Sequence, residues 1–114
     1  MSSKVISYGR HSINKKDLKS VLKTLKSDFI TQGPEVKKFE YNVKKKVGVS
    51  YALAVNSATS ALHLSCVALG ITNNDIVWIS ANGFVATSNC ALYCGAKINF
   101  IDVDKHTGNI SLKI

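Results

Sequence analysis

Apolar residues recur three and four places apart through the first half of the chain. Leu18, Val21, Leu22 and Leu25 fall on one helix face, and Lys15, Lys16, Lys19, Lys23 and Lys26 lie on its polar sides. Asn14, with Asp17 three places on, predicts the start of that helix, because its side chain can cap backbone N–H groups that have no partner in the first turn. Residues 5–10 read as an extended entry segment and 28–33 as a connection. Pro34 suits the first position of a second helix, whose stripe is Val36, Phe39, Val43 and Val47 and whose stop is Gly48. From Tyr51 the texture changes. Near-continuous apolar runs of strand length occupy 51–55, 76–80 and 97–101, separated by helix-like runs over 59–69 and about 85–94 that close at Gly70 and Gly95. Apolar strands alternating with helices predict an α/β fold, a mostly parallel sheet with helices on both faces. The organisation expected is therefore 1–50, a segment with two amphipathic basic helices, followed by 51–114, three strand–helix units.

Charge follows the same division. Residues 1–50 hold twelve of the fifteen Lys and Arg against four acids, so the whole formal charge of +8 lies there and residues 51–114 are neutral. A basic half suits an anionic ligand or nucleic acid, but the helical spacing explains the lysines as solvated faces, and no aromatics are interleaved with them. Neither nucleic acid nor a membrane is expected as a partner. No apolar run is long enough to cross a bilayer, and Met1-Ser2-Ser3-Lys4 is not followed by a signal-peptide core. Three cysteines without framework spacing point to a reducing cytoplasm. Cys90 and Cys94 share a helix face, the layout of half a metal site. With no CxxC and no nearby histidine to complete one, they read as small buried hydrophobes, and no metal ligand is assigned.

The stretch that carries chemistry is Asn56-Ser57-Ala58-Thr59-Ser60-Ala61-Leu62. A strand-like run passing through small residues into a helix is a phosphate-binding layout, since the helix start offers unpaired N–H groups and the positive end of the macrodipole. Ser57, Thr59 and Ser60 add hydroxyls, and Ala58 lets an anion come close to the backbone. On the local sequence alone, simple capping by Ser57 is the commoner explanation of the same residues. The stretch is neither G-x-G-x-x-G nor a Walker loop. In a parallel sheet, ligands gather at the carboxyl ends of the strands, where Asn56–Thr59, Ala81–Phe84 and Asp102–Asp104 are all expected to emerge.

Across nearly its whole length the chain resembles the DegT/DnrJ type of sugar aminotransferase, which uses pyridoxal phosphate (PLP). The ordered motifs are Ser12-Ile13-Asn14, Phe29-Ile30-Thr31-Gln32-Gly33-Pro34, Phe39-Glu40, Val47-Gly48-Val49, Asn56 to His63 and Phe84-Val85-Ala86-Thr87. They continue with Gly95-Ala96, Phe100 to Asp104 and Thr107-Gly108-Asn109-Ile110. Tyr8-Gly9-Arg10 and the Ser-Ala-Thr turn resemble the branch that serves pseudaminic acid synthesis. The resemblance implies the N-terminal part of the large domain of a fold-type I PLP enzyme. It also implies amino transfer from glutamate to C4 of a UDP-linked 4-keto-6-deoxy-N-acetyl-hexose, by a homodimer. It assigns Ala58 and Thr59 to the cofactor phosphate and Phe84 to stacking on the pyridine ring. Tyr8, Asp28, Phe29, Ile30 and Thr31 are assigned to the nucleotide-sugar. It implies that 51–55, 76–80 and 97–101 are the first three strands of a sheet ordered 3-2-4-5-6-7-1, the second and third adjacent and the first at the far edge.

Two departures stand out. A proline usual near Ser80-Ala81 is missing and Asn82-Gly83 follows, which predicts a looser loop before Phe84. No lysine here, whether Lys97, Lys105 or Lys113, sits in the motif of the Schiff-base lysine, so no catalytic residue is assigned and that lysine is expected beyond Ile114. The 114 residues are accordingly expected to be an N-terminal portion, inactive alone. Two other functions fit parts of the sequence. Asp102-Val103-Asp104 has the D-x-D form by which nucleotide-sugar glycosyltransferases hold a divalent metal, although acids ending a strand in solvent are commoner. The basic half alone would suit a small RNA- or protein-binding domain.

Overall fold

The computed structural model describes residues 9–111. Tyr8 and Lys113 lie outside them. The chain forms two compact units, 1–54 and 55–114.

The first unit holds two helices. Helix α1, Lys15–Leu25, begins as its sequence requires. Asn14 Oδ1 accepts from Lys16 N–H at 2.8 Å and Asp17 N–H at 3.3 Å, while Asp17 Oδ2 accepts from Asn14 N–H at 2.8 Å. Helix α2, Pro34–Val47, has proline at its first position and ends at Gly48, whose φ of 77° is the left-handed conformation that favours glycine. Glu35 in the first turn and Lys44, Lys45 and Lys46 in the last complement the helix dipole. The apolar stripe of α1 is present, yet Leu18, Val21, Leu22 and Leu25 are all exposed. A stripe predicts which face will be buried once a second layer covers it, and does not itself supply that layer.

The run 51–55 corrects one sequence-based expectation. It joins no ladder and is not a strand. Its exposure still alternates, with Ala52 and Ala54 half-buried between exposed Tyr51, Leu53 and Val55. A strand is defined by its neighbour's hydrogen bonds, and no neighbour pairs with this run among the described residues. Its anchor is instead a side chain: Glu40 Oε1 accepts from Ala54 N–H at 2.9 Å.

In the second unit, helix α3, Ala58–Ala68, is followed by strand β1, Ile76–Ser80, helix α4, Ala86–Tyr93, and strand β2, Lys97–Ile101. The strands pair in parallel from Ile76 opposite Lys97 to Ser80 opposite Ile101. This is the adjacency implied for the second and third apolar runs. Helix α4 packs on the strands and α3 packs on α4. The core consists of small side chains, Cys66, Ala86, Cys90, Ala91 and Ala96, around Ile79. Ala91 has no exposed surface at all. Small residues let helix and strand backbones approach closely, which is how an eight-residue helix with little amphipathic contrast finds one buried side. Trp78, one residue from buried Ile79 along β1, points to the other face and is 63% exposed.

Beyond β2 the chain turns back on itself. Val103 and Ile110 form an antiparallel bridge, and Ser111 N–H donates to the Asp102 carbonyl at 2.9 Å.

Candidate functional site at the start of helix α3

Ser57 is the N-cap of α3. Its Oγ accepts from Ser60 N–H at 3.1 Å and lies 2.9 Å from Ser60 Oγ, which in turn donates to Asn56 Oδ1 at 2.7 Å. The cap and the open donors thus fall on different residues. Ser57 satisfies the N–H of Ser60, and the Ser57 carbonyl accepts from Ala61 N–H at 3.1 Å. The N–H groups of Ala58 and Thr59 and the Thr59 hydroxyl have no partner among the described residues. Two backbone donors and a hydroxyl open at a helix start fit a phosphate group, whose oxygens accept in that direction while the dipole favours its charge. The Ser60 hydroxyl, read from the sequence as a further donor for an anion, is instead engaged within the turn by Asn56 and Ser57, a network the sequence did not show. Their short polar side chains are ordinary in any turn, and only the fold closes them into a network.

Phe84 lies between β1 and α4 and is 76% exposed. The loop that carries it is tied to the strand end. Ala81 N–H donates to the Ile101 carbonyl at 2.9 Å, Ser80 Oγ donates to the Asn82 carbonyl at 3.2 Å, and Thr87 N–H donates to the Phe84 carbonyl at 3.0 Å. Because β1 and β2 are parallel and in register, residues 81–84 and 102–104 leave the sheet at one rim. An exposed flat ring at the carboxyl edge of a parallel sheet is suited to cover a flat ligand.

At that rim, Asp102 and Asp104 are both engaged by their own turn. Asp104 Oδ1 accepts from His106 N–H at 3.0 Å, Thr107 N–H at 2.9 Å and Thr107 Oγ1 at 3.1 Å, and these donors hold its carboxyl below the usual aspartate range. Asp102 Oδ1 accepts from Val103 N–H at 2.8 Å. The D-x-D spacing has a structural occupation as a turn former. Cys66 and Cys90 are buried thiols and Cys94 is half-buried; burial, and then the neighbouring Cys90 and Cys94, push Cys66 up to about 11.

The residues assigned to the nucleotide-sugar belong to the first unit. Phe29 lines a recess of about 250 Å³ with Gln32, Gly33, Pro34 and Lys37. Ile30 lines another of about 310 Å³ with Ser20, Val21, Thr24 and Leu25. Gln32 has a φ of 51°, uncommon for a residue with a Cβ. At the next position a Cβ on Gly33 would stand 2.7 Å from Phe29 Cβ, so this bend admits glycine alone without displacing Phe29. Tyr8 lies outside the described residues.

The sequence of this site and the fold beneath it match known proteins. Residues 11–114 fit the model of the DegT/DnrJ/EryC1/StrS aminotransferase family. The chain belongs to that family. It is 43% identical over 109 residues to the UDP-4-amino-4,6-dideoxy-N-acetyl-beta-L-altrosamine transaminase of Campylobacter jejuni, covering 96% of this chain and 28% of that protein. It is 39% identical over 103 residues to the spore coat polysaccharide biosynthesis protein SpsC of Bacillus subtilis, covering 90% of this chain and 26% of that one. Among solved structures, an aminotransferase from Psychrobacter cryohalolentis superposes with a TM-score of 0.80 at 30% identity, over 88% of this chain and 26% of the other. The GDP-4-keto-6-deoxy-D-mannose-3-dehydratase of E. coli, solved with bound hydrated PLP, gives 0.81 at 27% identity, over 90% and 28%. The chain thus spans about a quarter of the length of the proteins it matches. Its structural neighbours include PLP enzymes, and the cofactor class of the family is PLP.

Proposed function

We propose that this chain is the N-terminal part of a PLP-dependent nucleotide-sugar aminotransferase. The complete enzyme moves an amino group from glutamate to C4 of a UDP-linked 4-keto-6-deoxy-N-acetyl-hexose, in the cytoplasm, as a homodimer. Likeness to the Campylobacter transaminase supports the substrate class. The observation that carries the reading is the pair of open N–H groups at Ala58 and Thr59 beside the free Thr59 hydroxyl. Ala58 and Thr59 hold the cofactor phosphate, and Phe84 covers the ring and keeps water from it. Asp28, Phe29, Ile30 and Thr31, with Tyr8, face the nucleotide-sugar. Bound PLP supplies the electron sink for amino transfer. The Schiff-base lysine is supplied by sequence outside residues 1–114.

The test is incubation of the complete enzyme with PLP, glutamate and a UDP-4-keto-6-deoxy-N-acetyl-hexose, followed by mass spectrometry. A 4-amino sugar and 2-oxoglutarate in equal amounts are expected. A deoxygenated sugar without an amino group would assign dehydratase chemistry instead, the activity named for one structural neighbour. Absence of any sugar product with PLP bound would overturn the substrate assignment.

A further inference from the structure

Helix α2 makes a choice that its sequence does not announce. Glu40 has lysines one turn away on both sides, Lys37 three places before and Lys44 four places after, and either spacing permits an ion pair along the helix. The ion pair described in α2 is a different one, Lys38 with Glu35 at 3.4 Å. Glu40 turns its carboxyl group to the backbone N–H of Ala54, fourteen positions on in the chain. The side-chain bonds that cap helices and close turns, by contrast, span four positions or fewer. Glu40 and Val43, one turn apart, are the half-buried positions of α2, so this bond is made on the face that helix shields best. Its recipient is equally particular. Ala54 closes the run 51–55, which has no strand neighbour among the described residues to take its N–H groups, and only Val55 separates it from Asn56.

We infer that Glu40 is a positioning residue for the phosphate turn. By accepting the Ala54 N–H it fixes the backbone two residues before Asn56, and so limits the directions in which Ser57, Ala58 and Thr59 can leave. A hydrogen bond from a backbone amide to a half-buried carboxylate is charge-assisted and among the stronger of its kind. It also occupies an N–H that an unpaired apolar run would otherwise offer to a foreign strand. The inference rests on the proposal that Ala58 and Thr59 hold the cofactor phosphate.

The experiment uses the complete enzyme and two readouts, PLP dissociation followed by cofactor absorbance and amide exchange at Ala54. Glu40→Leu is expected to speed exchange at Ala54 and to weaken PLP binding about tenfold, part of the factor that one hydrogen bond to a charged group can carry. Glu40→Gln keeps an acceptor oxygen and is expected to restore both. Ala54→Pro removes the donor and leaves Glu40 in place, so it is expected to weaken PLP as Glu40→Leu does, and it carries the test should the leucine variant not fold. Unchanged PLP affinity in the leucine and proline variants would overturn the inference, as would equal losses in the glutamine and leucine variants. If the unsubstituted enzyme takes up no PLP, the cofactor assignment fails instead. Ala54 exchange in the leucine and glutamine variants then still decides whether Glu40 anchors this run.

Discussion

At the scale of single residues, neighbours in one turn have separate duties. Ser57 closes the helix and Thr59 is left open. In the complete enzyme, Thr59→Val is expected to weaken PLP binding by about 1–3 kcal/mol, the scale of one hydrogen bond to a charged group. Its urea midpoint should not move, because Thr59 caps nothing. Ser57→Ala is expected to lower stability by about 1 kcal/mol, as the loss of an N-cap does. A shifted midpoint with normal PLP affinity in Thr59→Val would return Thr59 to a structural role. Asp104 gives a pH prediction. Its three donors depress its folded pKa below the ordinary value of 3.8. The stabilisation from this group is therefore present above the unfolded value and is lost as pH falls through the lower, folded one. Carboxyl titration by NMR is expected to place Asp104 below 3.8, and Thr107→Val, which removes the hydroxyl donor, is expected to raise it.

At the scale of elements, the helices of the first unit are specified by their ends more than by their contacts. No residue of α1 is buried. The capping box of Asn14 and Asp17 must then carry much of what keeps its first turn closed. Asn14→Ala is expected to cost about 1 kcal/mol locally. This would appear as roughly five- to tenfold faster amide exchange in the first turn of α1, with α2 unaffected. The α4 connection works differently. It has no side-chain cap and little amphipathic contrast, yet it is the best-buried helix, with Ala86, Ser88, Cys90 and Ala91 all inside. Its stability comes from the sheet it covers, in line with the rule that packing outweighs propensity in short helices.

At the scale of the molecule, the run 51–55 separates two regimes of protection. Strands β1 and β2 share a ladder, whereas among the described residues 51–55 has the Glu40 bond alone. In the 114-residue chain, amides of 51–55 other than Ala54 are expected to exchange far faster than those of 76–80 and 97–101. Global-level protection throughout 51–55 in a soluble monomer would show a self-sufficient strand and would remove the case for further sequence around it. The same chain is expected to form no covalent PLP adduct and to transfer no amino group. Lys97 starts β2 at the end opposite the Phe84 rim, about 13 Å away along five strand residues. Borohydride reduction with PLP and peptide mapping check this. One stoichiometric pyridoxyl-lysine within residues 1–114 would contradict it.

Local chemistry made much of this protein legible from its residues. Asn14 and Asp17, Pro34, Gly48, Ser57, Gly70 and Gly95 mark helix ends because each acts on backbone groups within a turn of itself, so their effect does not wait for the rest of the fold. The pairing of 76–80 with 97–101 and the Phe84 position followed from order and resemblance. Tertiary structure decided what depends on a distant partner. Whether Val55 ends a strand turns on a neighbour, and none pairs with the run among the described residues. Whether Glu40 joins a lysine or a backbone amide turns on what lies against α2, fourteen positions away in sequence. Whether an aspartate at a strand end is a metal ligand or a turn former turns on the donors that reach it, and for Asp104 those come from His106 and Thr107. Composition and spacing supply the groups, but a hydrogen bond is assigned by geometry among several acceptable partners, and that choice is made only when the chain has folded.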